Sequence, residues 1–252
     1  MPAVTHERAR DGDHDVLQPT GQEIVGLGQH LVVGIVGDLD RKAAERLAEQ
    51  VVGQLPEGKR AAALPPAPQL EQATEERVFH PSTQTHVRMG MPGMRRGDPD
   101  YFPLYVGNHV LGGGGLVSRL HDEVREKRGL SYSVSSYFSP MRERGPFMMS
   151  LQTRADQTDE ALQLLRSELD KYAARGPDRD ELEDSISNIT GSFPLSLDSN
   201  SKILGFLAMI AFYDLPEDYL ETYIDNIREI DRSDIREVLK NRIDVDHMVT
   251  VI

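Results

Sequence analysis

Hydrophobic residues in the centre of the chain change from helix spacing to strand spacing within a few positions. After a run of four glycines, apolar residues recur at every fourth position, as on one face of a helix: Leu116, Leu120 and Val124. Gly129 is the expected end of this helix. Beyond Gly129, apolar residues alternate with serines, which is the spacing of a half-buried strand: Leu130, Tyr132 and Val134 against Ser131, Ser133 and Ser135. The pattern therefore predicts a glycine turn, a helix and, immediately after it, a strand.

The chain after this segment predicts a second strand, five helices and a last short strand. Residues 147–153 alternate as a strand that pairs with the preceding one in an antiparallel hairpin. The first of the five helices is marked by a helix-spaced apolar face: Leu162, Leu165, Leu169 and Tyr172. Residues 202–213, KILGFLAMIAFY, are apolar on most sides and predict a buried helix. Residues 247–252 predict the final strand.

The chain before the glycines predicts a strand and a helix, a linker, and then a second strand and helix. Residues 31–36, LVVGIV, predict a buried strand, and Asp40 is placed to cap the helix that follows. Residues 56–70 are rich in proline and alanine, as in a linker between domains. Residues 77–91 predict another strand, and 101–111 a helix that leads into the glycines.

Early strands, late helices and hairpin-like connections predict an α+β fold, in which an antiparallel sheet is covered by helices on one face. The predicted organisation is an N-terminal segment over residues 1–56, a linker over 57–76 and one domain over 77–252. The N-terminal segment is not expected to fold alone, because one strand and one helix bury too little apolar surface.

Composition narrows the classes of partner. The 252 residues carry 28 Lys and Arg against 41 Asp and Glu, and this net charge of −13 argues against nucleic acid and anionic membranes while it suits a basic peptide. The sequence contains no cysteine, and no stretch has the roughly 18 apolar residues of a membrane span. Residues 1–16 lack the apolar core of a signal peptide. With Met1 as the true start the expected compartment is the cytoplasm, and otherwise the compartment is unknown.

Two polar side chains in the central segment are candidates for chemistry. Arg125 lies in the last turn of the predicted helix and Tyr132 near the start of the strand, so the turn at Gly129 can bring the two together. A guanidinium and a phenol can hold a substrate carbonyl or stabilise a developing oxyanion. Ser118 and Ser131 lack a G-x-S-x-G setting and are predicted to be structural. The glycines lack the Gly-Lys-Ser/Thr ending of a phosphate-binding loop.

No metal site is predicted in this chain. A zinc peptidase motif needs two histidines that are close together on one helix face, with a glutamate beside them. None of the eight histidines is followed by another at the fourth position, and none lies in such a motif. His121 lies on the central helix without a visible second ligand, and the simplest expectation is a solvated residue on the helix face.

The stretch GGGGLVSRLHDEVREKRGLSYSV resembles the second homologous domain of the pitrilysin, insulysin and mitochondrial processing peptidase family. These are zinc peptidases with an inverted H-x-x-E-H motif. The resemblance covers about residues 31–252, is strongest over 104–138, and implies a metallopeptidase-type α/β roll like that of LuxS. It implies that Arg125 and Tyr132 bind substrate backbone and assist the transition state from the side opposite the zinc. It also implies that the glycine segment borders the substrate chamber: Gly112, Gly113, Gly114 and Gly115.

The resemblance further implies that two homologous domains have different roles in the enzyme. The zinc is expected on a partner domain or subunit, so that this chain carries no cofactor, completes a peptide-binding chamber and is inactive alone. Its implied partners are the zinc-bearing homologous domain and a peptide substrate. The alternative is an inactive peptidase homologue that serves as a peptide-binding or assembly module. Self-association into a homo-oligomer is a further open alternative.

Overall fold

A five-stranded sheet organises the fold. The structure, a computed structural model, describes residues 31–55 and 62–252. The strands are β1 Thr74–Glu76, β2 Gln84–Pro92, β3 Ser133–Phe138, β4 Pro146–Arg154 and β5 Val249–Val251. Their spatial order is β1-β5-β2-β4-β3, with β1 parallel to β5 and the other neighbours antiparallel. The predicted α+β class is confirmed, and the sheet is mixed because of the one parallel pair.

Seven α-helices lie in the described part of the chain. They are α1 Arg41–Val52, α2 Tyr101–Asn108, α3 Thr158–Arg175, α4 Arg179–Ser192, α5 Asn200–Phe212, α6 Tyr219–Arg228 and α7 Arg232–Arg242. The last five correspond to the five helices predicted after the second strand. Asp40 caps α1 as predicted, since its Oδ1 accepts a hydrogen bond from the Ala43 N–H at 2.8 Å.

The core lies between the sheet and α3. Alternate residues of β4 are buried on the helix side, together with their neighbours on β2 and β3: Phe147, Met149, Leu151, Val87, Met89 and Val134. The apolar face predicted for α3 is buried in full: Leu162, Leu165, Leu169 and Tyr172. The Tyr172 hydroxyl donates to the Gly107 carbonyl of α2 at 2.8 Å, which ties α3 to α2. Burial raises the pKa of Tyr172 well above its ordinary value of 10.0, so the phenol stays neutral.

Two predicted elements near the N-terminus differ from the structure. Residues 31–36 form no strand beyond a single bridge at Val32, although their sequence is typical of a buried one. β1 lies inside the stretch 57–76 that was predicted as linker. All three residues of β1 are exposed and the strand is short, so it has no hydrophobic alternation by which sequence could reveal it. Residues 56–61 of the predicted linker lie outside the described residues.

Packing divides the chain into two compact units. One combines the described residues up to Leu64 with Phe193–Leu220, and the other combines Pro65–Ser192 with Glu221–Ile252. The first unit contains α1 and α5. The predicted burial of α5 is wrong, because Ile210 is its only buried residue. A small unit offers little surface to cover an apolar helix; within it, Phe193 packs edge-on against Phe206 of α5 at 6.0 Å between ring centroids.

No single helix within residues 31–55 and 62–252 has both the length and the hydropathy of a membrane span. The stretch Arg179–Leu197 and the helix Asn200–Phe212 reach those limits only when taken together across a sharp bend.

Candidate functional site

The candidate site is built where a short helical turn meets β3. The residues His121–Glu126 form a π-helical turn, and the chain reverses at Gly129, which has φ +62°. That left-handed conformation favours glycine, and the Gly129 N–H donates to the Arg125 carbonyl at 2.9 Å to close the turn. Leu130 and Ser131 are then buried, and Tyr132 stands directly before β3. The predicted sequence of helix, glycine stop and strand is therefore present.

The predicted apolar face of this helix is only partly correct. Leu120 and Val124 are fully buried, whereas Leu116 is 73% exposed. The reason is that the chain does not form one continuous α-helix from the glycines. A 3-10 turn at Gly115–Val117 precedes the π-helical turn, so spacing by four does not keep Leu116 on the buried face. Leu116 and the equally exposed Val117 instead form an apolar tip on the glycine segment, which the sequence did not predict.

The structure brings Arg125 and Tyr132 together. The guanidinium carbon of Arg125 lies 4.8 Å from the centre of the Tyr132 ring, within the range of a cation–π contact. Tyr132 is 83% exposed, and the Arg125 side chain is 32% exposed. The ring therefore supports the guanidinium from one side while both groups stay accessible from solvent.

His121 is the closest polar partner of Arg125. Its Nε2 lies 2.8 Å from Arg125 Nη1, and its side chain is only 9% exposed, so the expectation of a solvated histidine is wrong. Glu126 is more distant, with its Oε1 at 3.6 Å from Arg125 Nε. The signal that sequence reasoning missed is the spacing: His121 and Arg125 are four residues apart, which places them on one side of a helical turn.

The other cations of this turn are neutralised by carboxylates. Glu123 accepts hydrogen bonds from Lys127 Nζ and Arg128 Nη1, both at 2.6 Å, and these bonds lower the pKa of Glu123 below its ordinary value of 4.5. Arg128 also donates to the Glu123 carbonyl at 2.8 Å. Arg125 differs from both, because its short hydrogen bond goes to a histidine rather than to a carboxylate.

The glycine segment is packed against β3. His109–Gly113 form a second π-helical turn that continues α2. Gly112 is buried, and a Cβ there would lie 2.6 Å from the Ser136 backbone nitrogen. Asn108 binds the same strand residue twice, donating from Nδ2 to the Ser136 carbonyl at 3.2 Å and accepting from the Ser136 hydroxyl at 2.8 Å. Of the four glycines predicted to meet substrate, Gly113 and Gly115 are exposed, Gly114 is half-buried and Gly112 is closed to solvent.

His109 ties the glycine segment to α4. Its Nδ1 lies 3.1 Å from Ser185 Oγ, and its Nε2 lies 3.2 Å from Asn188 Oδ1. Desolvation lowers the pKa of His109 below its ordinary value of 6.5, although the contact with Asn188 opposes this. These residues are more than 70 positions apart in sequence, so no local pattern could have predicted the contact.

The serines considered as nucleophiles are held by backbone carbonyls. The Ser118 hydroxyl donates to the Gly115 carbonyl at 2.7 Å, and the Ser131 hydroxyl lies 2.7 Å from the carbonyls of Ser133 and Gln152. No group of three or more His, Asp or Glu side chains that could hold a metal ion occurs within residues 31–55 and 62–252. Arg125 and Tyr132 remain as accessible hydrogen-bond donors, a guanidinium and a phenol.

Comparison with known proteins gives a family match over more than half of the chain. The family model described as the peptidase M16 inactive domain matches residues 27–189. An uncharacterized zinc protease of Streptomyces coelicolor is 35% identical over 181 residues, which are 69% of this chain and 39% of that protein. A protein of Helicobacter pylori named as a non-peptidase homolog, YmxG, is 25% identical over 88% of this chain and 51% of its own length.

A solved structure of the same kind has the same fold. The crystal structure of a peptidase M16 inactive domain from Pseudomonas fluorescens matches with a TM-score of 0.80 and 40% identity, over 85% of this chain and 51% of that one. The chain thus spans about half the length, or less, of these relatives.

Proposed function

The chain belongs to the peptidase M16 inactive-domain family, within the zinc proteases, and from this premise we propose that it completes a peptide-binding chamber for a zinc-bearing homologous domain. In this proposal the partner holds the zinc and cleaves the peptide. This chain presents Arg125 and Tyr132 from the opposite wall, where they bind the peptide carbonyl and the negative charge that develops on it. The glycine segment borders the same surface with its exposed residues Gly113 and Gly115.

The observation that carries the proposal is an accessible arginine that no carboxylate binds closely. Arginine has five N–H donors, and Arg125 directs one of them to His121. The Tyr132 ring supports the guanidinium, and the remaining donors can meet an oxygen of the substrate. An arginine held like Arg128, by the carboxylate and the carbonyl of Glu123, would have less to offer.

The partner in the proposal follows from the length of the relatives. Those relatives are about twice as long as the matched stretch or longer, and the described residues hold no ligand group for the zinc that their names imply. A homologous domain that carries the zinc would supply what is missing. Two facing domains can also exclude water from a bound peptide, which strengthens electrostatic interactions with the reacting carbonyl.

Substitution of Arg125 and Tyr132 in the complex with the zinc-bearing domain tests the proposal. Tyr132→Phe keeps the ring under the guanidinium and removes only the hydroxyl, so folding should be intact. Loss of one donor that acts in the transition state lowers the rate by about 10²–10³. We expect a fall of that order in kcat/KM for Tyr132→Phe. Arg125→Ala should show a similar fall with a larger loss of peptide binding.

Arg128→Ala is the matched control for charge, because Arg128 lies on the same turn but is paired with Glu123. It should keep nearly the full kcat/KM. Full activity in both Tyr132→Phe and Arg125→Ala would show that the pair is structural and that the proposed role is wrong.

A second candidate function is a peptide-binding or assembly module without turnover. It is favoured by the name of the Helicobacter pylori relative, a non-peptidase homolog that matches 88% of this chain. A peptide that binds through Arg125 but is not cleaved with any zinc-bearing homologue would support this function over the first.

A further inference from the structure

We infer that His121 is a positioning residue that holds the Arg125 guanidinium over Tyr132 and away from Glu126. The inference concerns the geometry of Arg125, and its consequence for peptide cleavage rests on the proposed function. Three observations lead to it: the hydrogen bond between the two side chains, the burial of the histidine ring, and a carboxylate close enough to compete for the same guanidinium.

The hydrogen bond fixes which ring nitrogen carries the proton. Arginine has donors and no acceptor, so Nε2 of His121 must accept from Nη1 of Arg125 through its lone pair. As a hydrogen bond, this contact therefore requires the ring proton to be on Nδ1. A charged imidazolium would turn an N–H toward Nη1 and place two cations 2.8 Å apart. The contact thus exists only with a neutral histidine in one tautomer.

The second observation is that burial of the ring in this position is unfavourable for stability. His121 is buried, and its Nδ1 has no hydrogen-bond partner in the described structure; the nearest carboxylate oxygen, Glu126 Oε1, lies at 3.9 Å. A buried donor without a partner is unfavourable, and an apolar residue of similar size would avoid it. The useful contact of the ring is the one that Nε2 makes with Arg125. The arrangement fits a residue that serves position more than stability.

The third observation is the competition for Arg125. Glu126 follows Arg125 directly in the chain, is 59% exposed and lies 3.6 Å from Arg125 Nε. Arginine and carboxylate prefer a closer, bidentate ion pair, so Glu126 is a competitor for the guanidinium. Such a pair would occupy the donors that the proposed function directs to the peptide. The His121 bond engages Nη1 while the guanidinium lies over the Tyr132 ring.

Two substitutions distinguish the effect of the hydrogen-bond acceptor from the effect of the volume of the side chain. His121→Gln retains an acceptor oxygen at a comparable reach, whereas His121→Leu fills the site without one. In the full chain, we expect the Arg125 guanidinium N–H signals in nitrogen-15 NMR spectra, assigned with Arg125→Lys, to shift and broaden in His121→Leu. They should return toward the parent positions in His121→Gln. Unchanged signals in His121→Leu would overturn the inference, whatever the activity.

The kinetic test uses the complex with the zinc-bearing domain. A misplaced binding group can cost up to about 10² in rate, so kcat/KM should fall toward that extent in His121→Leu and be largely retained in His121→Gln. Adding Glu126→Gln to His121→Leu should restore part of the loss, because the competing carboxylate is gone. A histidine with only a structural role would give no such rescue. If Glu126→Gln restores no activity, the inference is wrong.

The two proposals can fail separately. If Arg125→Ala and Tyr132→Phe both keep full activity, the proposed function fails, while the NMR comparison still decides the role of His121. If Arg125→Ala is impaired and His121→Leu is not, Arg125 acts without His121 and the inference is wrong. Thermal unfolding of each variant checks that the effects do not come from loss of the fold.

Discussion

The site depends on single residues that no other residue type can replace without rearrangement. Gly112 is the clearest example, because its α-carbon lies against β3 where any side chain would meet Ser136. The close approach lets Asn108 reach the Ser136 carbonyl and hydroxyl. The Ser139 N–H donates to the Pro146 carbonyl, and residues that bond to a neighbouring antiparallel strand alternate with residues that do not. The backbone groups of Ser136 therefore point away from β4. Asn108 and Gly112 therefore cover the free edge of the sheet at this point.

Substitution of Gly112 should destabilise the fold. In Gly112→Ala the new Cβ would lie 2.6 Å from the Ser136 backbone nitrogen, so the π-helical turn or the strand must move. Overpacking of this kind costs about 1–3 kcal/mol, which can be measured by urea unfolding. Gly191→Ala in α4 is the matched control, because nothing lies within 4 Å of its Cβ position. A Gly112→Ala protein as stable as the Gly191→Ala protein would refute the argument.

Among elements, the glycine segment is held from two sides, by β3 through Asn108 and by α4 through His109. The second link depends on pH. Desolvation lowers the pKa of His109 below 6.5, so the folded protein binds this proton less tightly than the unfolded chain does. The stability that comes from neutral His109 is fully present above the unfolded pKa and is lost as the pH falls through the folded pKa.

We therefore expect the free energy of unfolding to decline as the pH is lowered from about 7.5 to about 5, with part of the slope due to His109. His109→Gln removes the titrating group and can keep hydrogen bonds to Ser185 and Asn188, so its slope should be shallower. The measurement is urea unfolding of both proteins at several pH values. Equal slopes would mean that other groups account for all of the dependence.

The sequence predicts an element well where one side of that element is buried, because burial on one side produces the hydrophobic periodicity. β4 and α3 are each buried on one side only, and their alternation or helical spacing predicted them closely. β3 also alternates, but it begins at Ser133, and Tyr132 of the predicted apolar face is 83% exposed. β1 is exposed at all positions and left no signal. Leu116 and α5 were expected to be buried and are largely exposed. For Leu116 a 3-10 turn interrupts the helical spacing, and for α5 little neighbouring surface covers the helix.

Within the site, contacts between residues that are close in sequence could be predicted, and contacts between residues far apart in sequence could not. The turn at Gly129 is local, so the proximity of Arg125 and Tyr132 could be predicted from spacing and was found at 4.8 Å. The bond from Arg125 to His121 is also local, and its spacing of four residues could have predicted it, although the expectation was a solvated histidine. The link from His109 to α4 depends on how distant elements pack, which a single sequence does not reveal.

At the scale of the whole molecule, the unit that contains α1 and α5 leaves much apolar surface uncovered. α1 has no buried residue, and its Leu47 and Val51 are 44% and 64% exposed. α5 buries one residue of a largely apolar sequence. Surfaces of this kind usually lie in contact with another protein surface or domain. This is in keeping with the proposed homologous partner, since the relatives of this chain are about twice as long as the matched stretch.

The proposal that a partner domain holds the zinc also predicts where the metal is found. Within residues 31–55 and 62–252 no ligand group exists, and no two of the eight histidines have the spacing of a zinc peptidase motif. We expect far less than one zinc per chain after dialysis, measured by elemental analysis, and a thermal midpoint that a chelator does not change. The zinc-bearing homologous domain, treated in the same way, is the positive control and should retain its metal. One tightly held zinc per chain, lost in His121→Gln or His109→Gln, would contradict this prediction and would move the catalytic metal onto the domain proposed to lack it.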